Sequence, residues 1–306
     1  MASGERSGDT AADGLARFPR PNVLARRLGR VEALDAPAQA IAGVVRKALP
    51  PGPVKDALSG TWLGHAFHPL MTDVPIGTWT SAVILDWIGG RQSAPAADRL
   101  IGVGLAAALP TFVSGWSDWS DSTATSDDIR RVGLLHAWSN GSAAMLFAGS
   151  LSARRRGRRT RGKLLGLAAI SSLGAGGWLG GHLSYSKASG VDQTALEHGP
   201  AEWTPAVSED RLGEGAATCA VVGGVAILLV RQAGEVRALA NRCTHRGGPL
   251  HEGELGDGTI TCPWHKSTFA LSDGSVLRGP AAYAQPVYDV RAKAGMLEIR
   301  VRPAAD

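Results

Sequence analysis

The chain has 306 residues and a formal net charge of +5, from 32 Lys and Arg against 27 Asp and Glu. Charged residues make up 19% and mean hydropathy is −0.01, averages that suit an ordinary globular protein. The basic excess is concentrated at 153–163, in Arg154, Arg155, Arg156, Arg158, Arg159, Arg161 and Lys163, so it gives no basis for a nucleic-acid partner.

The averages hide a segregated chain. Residues 1–58 read as a partly disordered, amphipathic N-terminal region. Within it, Leu34, Ile41, Val44 and Val45 fall at helical spacing, as expected of a helix on a membrane surface. Residues 59–186 contain four apolar runs: Pro69–Gly90, interrupted by Asp73 and Asp86, then Leu100–Trp116, Val132–Ser152 and Leu164–Ser184. Each approaches the length that crosses a bilayer, about 20 residues. Short polar connections join them, so the expectation is a bundle of four transmembrane helices. The alternative is the buried helical core of a soluble protein.

The loops between the runs set a topology. Arg91, Arg99 and the basic run at 153–163 share one side. The other side carries Lys55, Arg130, Arg131 and Lys187, diluted by Asp118, Asp121, Asp127 and Asp128. The positive-inside rule puts the arginine-rich side in the cytoplasm and both termini outside, in a multi-pass cell-membrane protein. No N-terminal signal peptide is visible. The arginine run before the last helix is an imperfect match to a twin-arginine signal. Up-down threading places His65, His68, His136 and His182 at the outer end of the bundle. Histidines on facing helices are candidates for a b-type haem, another metal or a quinone. Plain helix packing is the alternative, and Gly174, Gly176, Gly177, Gly180 and Gly181 serve either. The pattern His68-Pro69-Leu70, Asp73, Pro75-Ile76-Gly77, Asp86, His136 and Gly180-Gly181-His182-Leu183 with Tyr185 resembles an uncharacterised four-helix bacterial membrane family. That resemblance implies a membrane location and no known activity.

Residues 187–210 read as a linker and 211–303 as a small β domain. Val225–Val230, Glu235–Leu239, Thr259–Cys262, Val287–Arg291 and Met296–Val301 read as strands between glycine turns, the last two as a hairpin around Lys293-Ala294-Gly295. Two loops interrupt the pattern. Cys243-Thr244-His245 and Cys262-Pro263-Trp264-His265 each offer one thiolate and one imidazole, with 16 residues between His245 and Cys262. A Cys₂His₂ zinc site uses the same ligands, although zinc fingers usually pair Cys with Cys and His with His. Mixed pairs suit a two-iron cluster that takes Cys243 and Cys262 on one iron and His245 and His265 on the other.

Taken together, Cys243-Thr-His-Arg-Gly-Gly-Pro-Leu, Cys262-Pro-Trp-His-Lys-Ser-Thr-Phe, Asp273-Gly274 and Arg278-Gly279-Pro280-Ala281 closely resemble the Rieske family. The resemblance implies an all-β sandwich with a [2Fe–2S] cluster at its tip. Rieske proteins of cytochrome bc complexes add a cysteine to each cluster loop; Gly248 and Trp264 stand at those positions here. Cys219 reads as a strand residue, so no loop disulfide can form. Phe269 replaces the bc-type tyrosine. Both departures point to the ferredoxin-like branch and to the lower part of the Rieske range, roughly −150 to +300 mV. Ser267 is placed to donate a hydrogen bond to the cluster, which raises the potential.

The expected architecture is therefore a multi-domain chain: an α-helical membrane bundle followed by an all-β Rieske sandwich. The expected role is a membrane-anchored electron carrier whose partner is a redox protein or a quinone, rather than a self-sufficient enzyme. Electrons would pass through an exposed histidine edge, with haem or quinone in the bundle as the internal alternative. A ferredoxin-like component feeding a separate oxygenase or reductase is the second reading, and a redox sensor the third. No two-His-one-carboxylate iron domain is in evidence for a terminal oxygenase.

Overall fold

The computed structural model describes residues 21–123 and 125–302. The expected disorder of residues 1–20 lies outside the described residues. Three short helices come first: α1 (Pro21–Leu28), α2 (Asp35–Ala48) and α3 (Pro53–Ser59). Proline opens α3, where its fixed φ is already helical, and Gly60 ends it at φ 83°. Helix α2 does not lie free on a membrane surface. Its small residues Ala38 and Ala42, one turn apart, bury fully against Trp119 and Leu134. Asp35 at its start receives Arg130 at 2.8 Å and Arg131 at 2.6 Å.

Four long helices follow, one over each apolar run: α4 (Phe67–Ile88), α5 (Ala94–Ser122), α6 (Asp127–Arg155) and α7 (Arg159–Gly181). Helix α4 packs mainly on α5, and α6 on α7. Among the described residues only Arg91–Ser122 and Arg159–Ser186 are long and apolar enough to cross a membrane, with mean hydropathy of 1.5 and 1.3. The expectation of four spans is thus matched by four helices but by the composition of two. Asp73, Asp86 and several threonines dilute α4; Ser139, Asn140, Ser142 and charged ends dilute α6.

The bundle core is a column of small and aromatic residues. Trp79 of α4 stacks on Phe147 of α6 with ring centroids 4.6 Å apart. Gly104 of α5 makes room: a Cβ there would come within 2.3 Å of Trp79 Nε1. At the arginine-rich end, Arg154 is fully buried and pairs with buried Asp86. It also reaches Asp98 at 3.2 Å. A charge this deep requires its partners, so part of the basic run is structural. Beyond Gly181 the last helix loosens into a π turn over His182–Ser186.

The C-terminal part is all β. A six-stranded antiparallel sheet has the order β1-β10-β9-β4-β3-β2, and a four-stranded sheet runs β5-β6-β7-β8. The strands are β1 (Thr204–Ser208), β2 (Ala217–Val222), β3 (Val225–Gln232), β4 (Glu235–Ala240), β5 (Glu254–Gly256), β6 (Thr259–Thr261), β7 (Thr268–Ala270), β8 (Val276–Arg278), β9 (Val287–Lys293) and β10 (Met296–Val301). The β9–β10 hairpin closes on Ala294 and Gly295, both at positive φ (50° and 76°). That is the two-residue turn whose twist matches the strands. Strand β1 falls in the stretch read as linker; it pairs with β10, Thr204 opposite Ile299. Leu228, Leu239, Leu250, Ile260 and Phe269 form the dry core beneath the cluster loops.

Candidate metal centre

The two cysteine loops are built on one plan. The Cys243 N–H donates to Gly248 O at 2.9 Å, and Gly247 N–H donates back to Cys243 O at 2.8 Å. In the second loop Cys262 N–H donates to Ser267 O at 2.8 Å, and Lys266 N–H to Cys262 O at 3.2 Å. The residue four beyond each cysteine turns left-handed: Gly247 at φ 77° and Lys266 at φ 65°. Each loop thereby projects a thiol and an imidazole toward its counterpart. The rings of His245 and His265 stand 5.0 Å apart, nearly perpendicular. The two cysteines are buried and hydrogen-bonded to each other.

The electrostatics suit metal ligation. The Cys262 thiol is drawn down to about 7 by the hydrogen bond from Cys243 and by the backbone N–H groups of Trp264 and His265. Its partnership with Cys262 and burial push Cys243 the opposite way. Burial lowers both imidazoles, His245 well below its ordinary value, so both are neutral ligands. No group of three His, Cys, Asp or Glu among the described residues gathers around one ion. A two-iron cluster does not require one, because each iron takes only two protein ligands. Gly248 is shaped to the site: a Cβ would sit 2.8 Å from Cys262 Sγ and 3.1 Å from the Trp264 ring. Buried Ser267 accepts a hydrogen bond from Ala281 N–H at 2.9 Å, which leaves its own hydrogen to donate.

Several supporting residues carry no signal in the sequence. The buried Gln285 donates to Ala240 O at 2.8 Å and Arg242 O at 2.6 Å, and accepts from Thr244 N–H at 3.3 Å. It holds the first loop's two ends together. The larger surprise is the histidine edge itself. It was expected at the surface, and instead it is seated on the bundle. His245 Nε2 lies 3.6 Å from the Asp121 carboxylate, and the His245 side chain is only 10% exposed. His265 hydrogen-bonds the Asp121 backbone. Asp121 belongs to the last turn of α5 and pairs with buried Lys55 of α3 at 2.9 Å. Further contacts lock the seat. Thr61 Oγ1 donates to Ala281 O at 3.0 Å, and Arg246 donates to Asp118 O at 3.2 Å and Ser189 Oγ at 2.9 Å. Gln193 N–H donates to Thr244 O at 3.0 Å.

The bundle histidines separate. His68 and His136 come together, ring centroids 6.4 Å apart. Both line a cavity of about 420 Å³ that runs up to Arg246. His182, grouped with them on sequence, does not line it. It lies instead toward Lys187, Asp128 and Arg26. His65 is exposed beside Ala66.

Comparison with known families agrees with this division. Residues 202–289 match the Rieske [2Fe-2S] domain and residues 64–193 match a predicted membrane protein family, DUF2231. The anthranilate 1,2-dioxygenase ferredoxin subunit of Burkholderia cepacia is 30% identical over 101 residues, 33% of this chain and 94% of that protein. Apoptosis-inducing factor 3 of Mus musculus is 34% identical over 79 residues, 26% of this chain; the match spans only 13% of that relative's length. Among solved structures, the ferredoxin of carbazole 1,9a-dioxygenase from Nocardioides aromaticivorans IC177 is 24% identical. It matches 33% of this chain and 98% of that one, with a TM-score of 0.32. The chain belongs to the Rieske [2Fe-2S] family, in its C-terminal part, joined to a DUF2231 domain. Membership implies a [2Fe–2S] cluster and electron transfer.

Proposed function

We propose that this protein is a membrane-anchored one-electron carrier whose cluster exchanges electrons with a redox group inside its own helical bundle, haem or quinone. Cys243 and Cys262 hold one iron, and His245 and His265 the other. The Ser267 hydroxyl donates to the cluster and raises its potential. The observation that carries the internal route is the seated histidine edge, closed off by Asp121 and Lys55 and adjoining the His68–His136 cavity. Helices α4 to α7 span the membrane. Large apolar side chains face outward on all four, among them Ile84, Leu109, Met145 and Leu167, as lipid contact favours. The Rieske domain lies outside the cytoplasm. In support, the four basic residues counted on its side are all ion-paired: Lys55 with Asp121, Arg130 and Arg131 with Asp35, and Lys187 with Asp128.

A second reading, delivery to a separate oxygenase, draws on the similarity to a dioxygenase ferredoxin subunit and on the exposed Trp264 beside the second loop. It requires the histidine edge to leave its seat. EPR of the dithionite-reduced full-length protein tests the central reading. A Rieske-type signal is expected, lost in His245→Ala and in Cys262→Ser. Stoichiometric zinc with no cluster signal would overturn it.

A further inference from the structure

The two bundle imidazoles are prepared in the same way on different helices. His68 Nδ1 lies 3.0 Å from Thr111 O, and His136 Nδ1 lies 2.7 Å from Gly176 O. A carbonyl oxygen can only accept, so each Nδ1 carries the proton and each Nε2 keeps its lone pair, that of His136 with Asn140 Nδ2 at 3.3 Å. Anchoring the far nitrogen to a backbone carbonyl is how metal-ligating histidines are oriented. Two glycines make way for the rings. A Cβ at Gly115 would come within 2.6 Å of His68, and one at Gly180 within 2.9 Å of His136. The ring centroids are 6.4 Å apart at an interplanar angle of 82°. Imidazoles on opposite sides of one metal, with bonds of about 2.0–2.1 Å, have centroids roughly 6 Å apart. The cavity they line is apolar and aromatic along Ile76, Trp79, Phe112 and Trp116. At its cluster-side end stands Arg246, whose buried Nε has no hydrogen-bond partner among the described residues.

We propose that His68 and His136 are the axial ligands of one haem, with Arg246 as the partner of a haem propionate. The inference deepens the internal route above and rests on that reading. Two lone pairs with no proton between them suit a Lewis-acidic centre better than a quinone, whose carbonyls need donors. Asp118 and Asp121 already neighbour the Arg246 guanidinium, and its Nε is left to donate to one acceptor at the cluster end, which a haem propionate would supply. Asn140 Nδ2, 3.3 Å from His136 Nε2, donates to His136 O at 3.0 Å and would give way to the metal. The volume of about 420 Å³ falls among ordinary cofactor sites, about 300–1,000 Å³. A haem is a one-electron centre, as the cluster is. His182 is not a ligand.

The test uses detergent-solubilised full-length protein, assayed by pyridine haemochrome as purified and by titration with added haemin. The expected result is stoichiometric low-spin haem. His68→Ala and His136→Ala should each weaken haemin binding at least tenfold, and His182→Ala should not. His136→Gly should regain the low-spin spectrum with added imidazole. The Rieske EPR signal of each variant reports folding independently. Cluster-loaded protein that neither contains haem nor binds haemin more tightly than His68→Ala/His136→Ala overturns the haem and leaves the cluster reading standing. Co-purification of stoichiometric quinone in haem-free protein also overturns it. Loss of the cluster signal in haem-loaded wild-type protein sinks the carrier reading and not the haem.

Discussion

The buried pair of Lys55 and Asp121 should tune the cluster in opposite directions. Asp121 lies 3.6 Å from His245 Nε2. Crossing the imidazole and a metal bond adds about 4 Å, so the carboxylate would stand about 7.5 Å from an iron held by His245. At an effective dielectric of about 20, one unit charge at that distance contributes about 2.2 kcal/mol. For a one-electron couple, where about 1.4 kcal/mol corresponds to 59 mV, that is about 100 mV. Lys55 Nζ sits 2.9 Å beyond the carboxylate, and its opposite sign nearly cancels the effect in the native protein. Asp121→Asn removes a negative charge that opposes reduction, so the potential should rise by about 100 mV. Lys55→Met should lower it by about 75 mV, from the longer distance. The double variant should return close to the native value. Each single variant leaves a buried charge unpaired, at a cost of about 3–5 kcal/mol, so thermal melts should accompany the measurement. The assay is an EPR-monitored redox titration in detergent. Both single variants keeping full cluster content and an unchanged potential would refute the seating of the histidine edge on Asp121.

Three other outcomes follow from the same geometry. Gly248→Ala should lose most of its iron by chemical assay, because the new Cβ meets Cys262 Sγ at 2.8 Å; Gly247→Ala should lose less, since its cost is the left-handed φ of 77° and a 3.1 Å contact with the flexible Arg242 side chain, neither at a ligand sulfur. Arg154→Met takes from buried Asp86 its closest partner and leaves it only Arg159 at 3.4 Å, so it should cost up to about 3–5 kcal/mol in a detergent melt, with much of the loss recovered in Arg154→Met/Asp86→Leu. The Arg131 and Arg130 guanidiniums hold the Asp35 carboxyl well below the usual carboxylate range. Its contribution is therefore complete above about pH 4 and declines only as pH falls further. Protection against hydrogen exchange across residues 35–48, taken relative to the intrinsic rate at each pH, should hold from pH 7 to about pH 4 and fall below it. In Asp35→Asn it should be low throughout.

The cluster loops were legible because their chemistry is local. Cys243 with His245, and Cys262 with His265, declare themselves within a few residues, and Gly247 marks the turn between them and the core. The four helices were legible from their apolar runs. Pairings across long separations were not. Strand β1 looked like linker because its partner, β10, is the last strand of the chain. Gln285, Lys55 and Asp121 have no motif; each matters through contacts far along the chain, Gln285 with Thr244, Lys55 with Asp121, and Asp121 with His245. Helix rotation was equally hidden. Threading put His68, His136 and His182 at one end of the bundle but did not say which faced inward, and His182 faces away from the cavity. The apolar pattern of α2 read as a lipid-facing stripe, whereas its alanines are what the bundle receives.

The seat of the histidine edge has a kinetic consequence. Soluble ferredoxins meet their partners by diffusion, with rates that scale with concentration and fall steeply as salt screens the approach. Here the approach is already made, sealed by Lys55, Asp121 and Arg246 beneath the cluster tip. On the proposed internal route, electron exchange between cluster and bundle would be a first-order event, indifferent to dilution and to ionic strength. Only a partner that must first lift the domain from its seat would feel either.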